Sequence, residues 1–358
     1  MNNKSPETAK LLVFATKGRG SNEERRIHEL VADFASENFP FALRLFLAIL
    51  ENPRRLVVME GSGIGGGLPL LIARIFLGAR YVVSSGDSIA DFLAAKYPPG
   101  KFFFLAYEYL LYRFASGFIG WTPYLVGRAL AAGAPRAMTA PGWSNLVFPE
   151  DRNLARTETR GKLGVPEGVT LAGIVGSLDW NPLHAYCYGL ELLEARSRAT
   201  PTADFHVLII GDGSGRAELE KRLRPEFRDR VHFTGNVEGD NLSRLLQSLD
   251  VALLPQSTDR VGSYRFTTKI SEYLAAGLPI VVNQIPLAYD FMCDGIHRLP
   301  GDNPWDPRFW DSLSLYLTKF KPAQTPCENK KMLETLFSAP RQRQSVAAFL
   351  GDIQAQNQ

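Results

Sequence analysis

The sequence predicts an α/β protein made of two successive Rossmann-like halves. Short apolar runs alternate with helix-length amphipathic segments almost throughout, as parallel strands joined by crossover helices require. A polar, proline-containing stretch from Pro141 to Arg160 interrupts this pattern, which then restarts. The length of 358 residues suits two domains of roughly 150 residues, each able to bury its own core. The expected division is a first domain over 1–150, a second over 165–325 and a helical segment over 326–358, with no following strand, that can cross back to the first domain.

The first strand is Leu11–Ala15. It ends in Lys17-Gly18-Arg19-Gly20-Ser21, and a charged helix follows from Asn22 to about Glu37. The second, Leu56–Met59, ends in the glycine-rich run Gly61–Gly67 before an apolar helix to Leu77. Tyr81–Val83 is a third strand, closed by Ser84-Ser85-Gly86-Asp87. A long aromatic helix spans roughly Phe102 to Ser116, then a strand over Phe118–Trp121 and a helix over Tyr124–Ala132. On the aromatic helix Phe103, Tyr107, Leu110, Leu111 and Phe114 share one face. That face is either buried between sheet and neighbouring helices or meets lipid headgroups beside Lys101 and Arg113. In the second half Leu171–Val175 and His206–Ile210 are strands, with helices over Leu183–Arg198 and Arg216–Leu223. Val231–Phe233, Val251–Leu254 and Ile280–Val282 supply three more strands.

Composition removes several classes of function. At 45% hydrophobic and 22% charged residues the chain is neither disordered nor coiled coil. Its net charge of +3, with no run of five like charges, gives no nucleic-acid footprint. Cys187, Cys293 and Cys327 lie too far apart for a CxxC pair, and so sparse a count fits a reducing compartment. The charge-free stretch Tyr273–Tyr289 is broken by Gly277, Pro279 and Pro286 and is too short to span a bilayer. The polar start is not a signal peptide. A cytoplasmic protein is expected, with peripheral contact at the inner face of the plasma membrane left open.

Each glycine-rich turn follows a strand and opens a helix, where backbone N–H groups can meet phosphate. Gly18 and Gly20 in the first turn are candidate acceptor or phosphate contacts, although a tight strand-to-helix turn alone explains such glycines as well. Gly211, Gly213 and Gly215 alternate, so they do not form the GxGxxG of a dinucleotide site. Asp-x-Asp, HxxxH and GxSxG are all absent, which disfavours a diphosphate-bridging metal, a zinc site and serine hydrolase chemistry. No cofactor is called for. His206 and His232 lie in strand-like runs and are read as structural.

The informative stretch is Val231–Val282. It contains Val231-His-Phe-Thr-Gly-Asn-Val237, the strand Val251–Leu254 ending at Pro255, a polar loop, and Thr268-Lys269-Ile-Ser-Glu272 through Gly277-Leu-Pro279 into Ile280–Val282. This resembles the nucleotide-sugar half of the GT-B glycosyltransferases, in particular the retaining family 4. Val175-Gly176-Ser177-Leu178-Asp179 and Ile210-Gly211-Asp212-Gly213 extend the likeness, and a looser one runs through Phe118–Ala132 and Trp143–Pro149. The resemblance implies two Rossmann-like domains facing a cleft and metal-independent transfer of a hexosyl group, with retention. The sugar would pass from a nucleotide diphosphate-sugar to a saccharide or lipid-linked acceptor. On this reading Lys269 and Arg265 are the candidate catalytic residues, and Glu272, Val237, Gly176, Ser177, Gly213, Arg260, Tyr264 and Thr268 the candidate donor contacts. Lys269 and Glu272, three apart, lie on one side of a helix. Lys269 there faces diphosphate while Glu272 accepts from ribose hydroxyls; an ordinary surface ion pair is the competing account.

Four places depart from the family pattern, one of them around Pro182–His184, where many members carry a lysine. Tyr264 stands where many members carry a glutamate, and Ser177 where many carry an arginine. Ser84–Asp87 lacks a histidine often found there. Arg260 or Arg265 can supply the missing positive charge. Two alternatives therefore stay open: a glycosyltransferase-like binding subunit with altered catalysis, and a nucleotide-sugar epimerase on the same fold.

Overall fold

The computed structural model describes residues 10–200, 202–237, 239–290, 295–321 and 330–356. Its chain forms two compact units. One contains the residues up to Trp143, the segment Asp259–Thr267 and the residues from Glu334 onward; the other contains Ser144–Thr258 and Thr268–Leu333.

Elements of the first unit begin with β1 (Leu11–Ala15), α1 (Asn22–Leu30), β2 (Ser36–Asn38), α2 (Ala42–Glu51), β3 (Leu56–Glu60) and α3 (Ile64–Leu77). They continue with β4 (Arg80–Ser85), α4 (Ile89–Lys96), α5 (Lys101–Arg113), β5 (Gly117–Gly120), α6 (Pro123–Ala131) and β6 (Ala137–Thr139). The second half of the chain runs α7 (Arg152–Leu163), β7 (Thr170–Val175), α8 (Leu190–Arg198), β8 (Phe205–Ile210), α9 (Arg216–Arg222), β9 (Val231–Phe233), α10 (Gly239–Ser248) and β10 (Val251–Leu253). It ends with α11 (Arg260–Tyr264), α12 (Lys269–Ala275), β11 (Ile280–Val282), α13 (Leu287–Asp290), β12 (Ile296–Arg298), α14 (Pro307–Lys319), α15 (Lys330–Thr335) and α16 (Ala339–Ala355).

Each unit holds one parallel six-stranded sheet, in the orders β2-β1-β3-β4-β5-β6 and β9-β8-β7-β10-β11-β12. The second is the doubly wound 3-2-1-4-5-6 arrangement, with its switch point between β7 and β10. Strands covered on both faces read as near-continuous apolar runs; β1, β3 and β8 are buried along their whole lengths. In the first unit α2, α3 and α5 close one sheet face around Phe14, Leu45, Leu70 and Leu111. The other face is closed by α1 and α16 through Ile27, Leu30, Val346 and Leu350.

Several local expectations are corrected. The first helix stops at Leu30, and Ser36–Asn38 adds an edge strand beside β1. Helix α2 had no counterpart in the sequence reading. Half of the supposed linker is α7, which Asp151 caps by accepting from the Leu154 N–H at 2.9 Å. Helix α8 begins at Leu190 and not Leu183, because Asn181 and Tyr186 pair as a β-bridge and Gly189 turns at φ 97°. The buried side of α5 is Tyr107, Glu108, Leu111 and Tyr112; Phe103, Leu110 and Phe114 are exposed. The helix is rotated because Glu108 goes inward, accepting from Arg128 at 2.6 Å and from the Ala90 N–H at 3.1 Å. His206 and His232 stack on each other, and burial lowers His206 to about 4, so the pair is neutral and structural. Cys187 is buried, and its burial pushes the thiol up to about 12; Cys293 and Cys327 lie outside the described residues. Among the described residues no helix is long and apolar enough to cross a membrane.

Candidate functional site

In open α/β sheets ligands bind beyond the carboxyl ends of the strands, at the switch point. In the second unit three loops meet there. The loop after β7 and the loop after β8 are bonded to each other: Leu178 N donates to Asp212 O at 3.0 Å, Gly215 N to Leu178 O at 2.7 Å and Trp180 N to Ser214 Oγ at 3.0 Å. This close approach needs glycine. A Cβ at Gly211 (φ 137°) would collide with the Gly176 carbonyl oxygen, and one at Gly213 would stand 2.6 Å from the Leu178 carbonyl carbon. Gly176 and Gly213 therefore lie on adjoining loops. Ser177 beside them donates to Asp179 at 2.5 Å. Gly211 also pairs with Gly235 in the loop after β9, two residues before half-buried Val237.

Helix α12 adds a further element. Tyr273 is completely buried, and its hydroxyl accepts from the Val175 N–H at 3.0 Å, pinning the helix to the end of β7. Thr268 caps the helix; its carbonyl accepts from Glu272 N at 3.1 Å and from Ser271 Oγ at 2.7 Å. Lys269 Nζ lies 4.6 Å from the centre of the Tyr188 ring, and a Cβ at Gly176 would touch that same ring at 2.8 Å. Gly176, Tyr188 and Lys269 thus converge. Burial raises the pKa of Glu272, opposed by Lys269 and by Thr268. Glu191 at the start of α8 is fully buried, and burial lifts it to about 7 against its bond from Gly189 and the charge of Lys269. Neither Tyr188 nor Glu191 was singled out in the sequence, since nothing in the spacing links them to Lys269.

The first unit carries a separate polar group at the ends of β1, β3, β4 and β5. Glu60, fully buried, accepts from Arg26 Nη1 at 2.8 Å and Trp121 Nε1 at 2.9 Å. Arg26 also donates to Ser84 Oγ at 3.0 Å and stacks 4.2 Å from the Trp121 ring. Burial raises Glu60 and Arg26 opposes it. Lys17 pairs with Glu23 at 2.8 Å, next to Gly18 and Gly20, which turn at φ 78° and 77° with open space around them. A terminal Glu on the strand Leu-Val-Val-Met-Glu was the one available signal for this cluster.

Residues Asp259–Thr267 belong to this first unit, so Arg260, Tyr264 and Arg265 are set in a different unit from Lys269. Arg265 pairs with Asp87 at 3.0 Å, Phe266 N donates to Gly86 O at 2.9 Å and Arg260 lies 3.7 Å from Asp91. The Tyr264 ring takes the Arg128 guanidinium at 4.8 Å.

Residues 170–304 match the family model described as Glycosyl transferases group 1. The fold is GT-B. The GT-B chain superposes on the Anabaena protein Alr3699/HepE, in complex with UDP and glucose, with a TM-score of 0.70 at 16% identity, covering 96% of this chain and 99% of that one. The lipopolysaccharide outer core galactosyltransferase WaaB in its apo form gives 0.65 at 12% identity, over 96% and 99%. A 2-deoxystreptamine glucosyltransferase from Streptomyces kanamyceticus is 30% identical over 125 residues, 33% of this chain and 29% of that protein. An uncharacterized glycosyltransferase of Methanocaldococcus jannaschii, MJ1607, is 29% identical over 143 residues. The chain thus spans about a third of the length of these curated relatives or less.

Proposed function

We propose that the protein transfers a hexosyl group from a nucleotide diphosphate-sugar to a saccharide or lipid-linked acceptor. The carrying observation is the convergence of the glycine loops after β7 and β8 with Lys269 at the switch point of the second sheet, with Glu272 three residues on along the same helix. In this reading Glu272 accepts from the ribose hydroxyls. Gly176, Ser177, Gly213 and Thr268 line the phosphates with backbone N–H and hydroxyl donors, and Val237 borders the base. Lys269 meets the charge that grows on the departing diphosphate. No metal is required, because fixed cationic donors can stabilise a leaving anion where it develops. Retention of configuration follows from the family likeness.

The first unit is proposed to hold the acceptor near Gly18, Gly20 and Glu23. A cytoplasmic enzyme at the inner membrane face suits a lipid-linked acceptor, and the outward sides of α2, α3 and α5 support that placement. Phe41, Leu43, Ile75, Phe76, Phe102 and Phe103 are all exposed there. Calorimetric titration with a panel of nucleoside diphosphates tests the donor assignment: saturable binding is expected, and failure of every member would refute it. The reading as a binding subunit keeps one specific support, the engagement of Tyr264 with Arg128. Turnover of any donor sugar would exclude that reading.

A further inference from the structure

The first unit contains a second charged feature, at the opposite ends of its strands from the polar group around Glu60. Arg80 opens β4, Ser116 precedes β5 and Arg136 precedes β6; with Arg74 in the last turn of α3 they surround a cavity of about 300 Å³. Ile353 and Gln356 at the end of α16 complete the wall, and no Asp or Glu lines it among the described residues.

Part of this positive charge serves the fold. Arg74 reaches the Gly78 and Ala79 carbonyls at 3.4 Å, Arg80 donates to the Ile353 carbonyl and Arg136 to the Gln356 side chain. Three helices, α3, α5 and α16, end around the cavity, and each C-terminus presents about half a negative charge. Three guanidiniums against three such ends leave an excess of about +1.5. Burial first, and then the neighbouring Arg74, pull the pKa of Arg80 down. Like charges gathered in a half-buried hollow invite an anion.

We propose that this cavity binds a phosphate monoester, a binding function separate from sugar transfer. Guanidinium forks match phosphate oxygens in bidentate fashion, and the Ser116 hydroxyl adds a neutral donor. The phosphate can arrive on a soluble molecule or on an anionic lipid headgroup. The chain next to the cavity favours the lipid. Ile75, Phe76 and Leu77 fall between the wall residues Arg74 and Gly78, Phe114 adjoins Ala115, and all four are exposed, Phe76 by 78%. A phosphate held in the cavity would therefore have apolar side chains beside it, where acyl chains begin.

The test uses the whole chain, with inorganic phosphate in calorimetry and phosphatidylcholine vesicles with and without phosphatidic acid in co-sedimentation. Binding to phosphatidic acid vesicles that inorganic phosphate displaces supports the lipid source. Binding of inorganic phosphate without vesicle binding supports a soluble one. In either case Arg74→Gln and Arg136→Gln should each weaken binding about tenfold or more, with Arg136→Lys intermediate. Arg74 sits half-buried at a helix end, so its variant is expected to keep the wild-type circular dichroism spectrum should Arg136→Gln not fold. Absence of binding to both probes, or affinities equal in wild type and folded variants, would overturn the proposal.

Discussion

Replacing Glu272 should separate nucleotide binding from folding. In the ligand-free protein its carboxylate is unfavourably placed: burial raises its pKa, and Lys269 and Thr268 offset that only in part. A neutral amide of the same shape removes the penalty, so the melting temperature of Glu272→Gln should hold or rise. Bound ribose hydroxyls face the opposite change, since they lose a charged acceptor. Hydrogen bonds to a charged group contribute about 1.5–3 kcal/mol each. Gln keeps a neutral acceptor and should weaken a nucleoside diphosphate about tenfold, whereas Ala should approach a hundredfold. Calorimetry with uridine diphosphate reads the affinity, and thermal unfolding reads the stability. Wild-type binding should also weaken as pH falls through the raised pKa of Glu272, a dependence that the Gln variant loses. Unchanged affinity in a folded Glu272→Ala protein would refute the ribose assignment.

Lys269→Ala should lower donor turnover more than donor affinity, because the diphosphate gains charge as the bond breaks; wild-type turnover in this variant would place the charge elsewhere. Stability should barely move for Arg265→Ala, since its pair with Asp87 is about 40% exposed on both sides and such pairs contribute about 0–1 kcal/mol. Glu191 gives a pH signature. Its folded-state pKa of about 7 lies above the ordinary 4.5, so the folded protein keeps a proton that the unfolded chain releases between those values. That stabilisation is complete below pH 4.5 and is lost as pH rises through 7. Glu191→Gln should match the wild type in urea unfolding near ~pH 4 and exceed it by on the order of 3 kcal/mol near ~pH 8. Parallel curves across that range would show Glu191 ionised in the folded state.

Periodicity made the two sheets legible, and distance along the chain hid most of what surrounds the site. A parallel strand buried on both faces reads as an uninterrupted apolar run, so β1, β3 and β8 stand out in the sequence before any pairing is known. The glycine turns after β7 and β8 were legible for a related reason: a strand followed by a glycine pair and a helix marks where backbone must approach backbone, as Gly213 approaches Leu178. Charge pairing leaves no such local trace. Arg26 meets Glu60 across 34 residues and Arg265 meets Asp87 across 178. The face of α5 was misassigned because Glu108 finds Arg128 twenty residues on, a partner that makes an inward carboxylate tolerable. The same contact bears on Tyr264. Arg128 is held at 2.8 Å by Asp91 and by Glu108 on its other side, and the Tyr264 ring covers the cation's remaining face. A glutamate at 264 would add a third carboxylate beside that guanidinium, with the exposed Arg260, 3.7 Å from Asp91, as the further cation. The departure from the family pattern at 264 is therefore coupled to Glu108 and Asp91, two acids that no motif in the sequence connects to it.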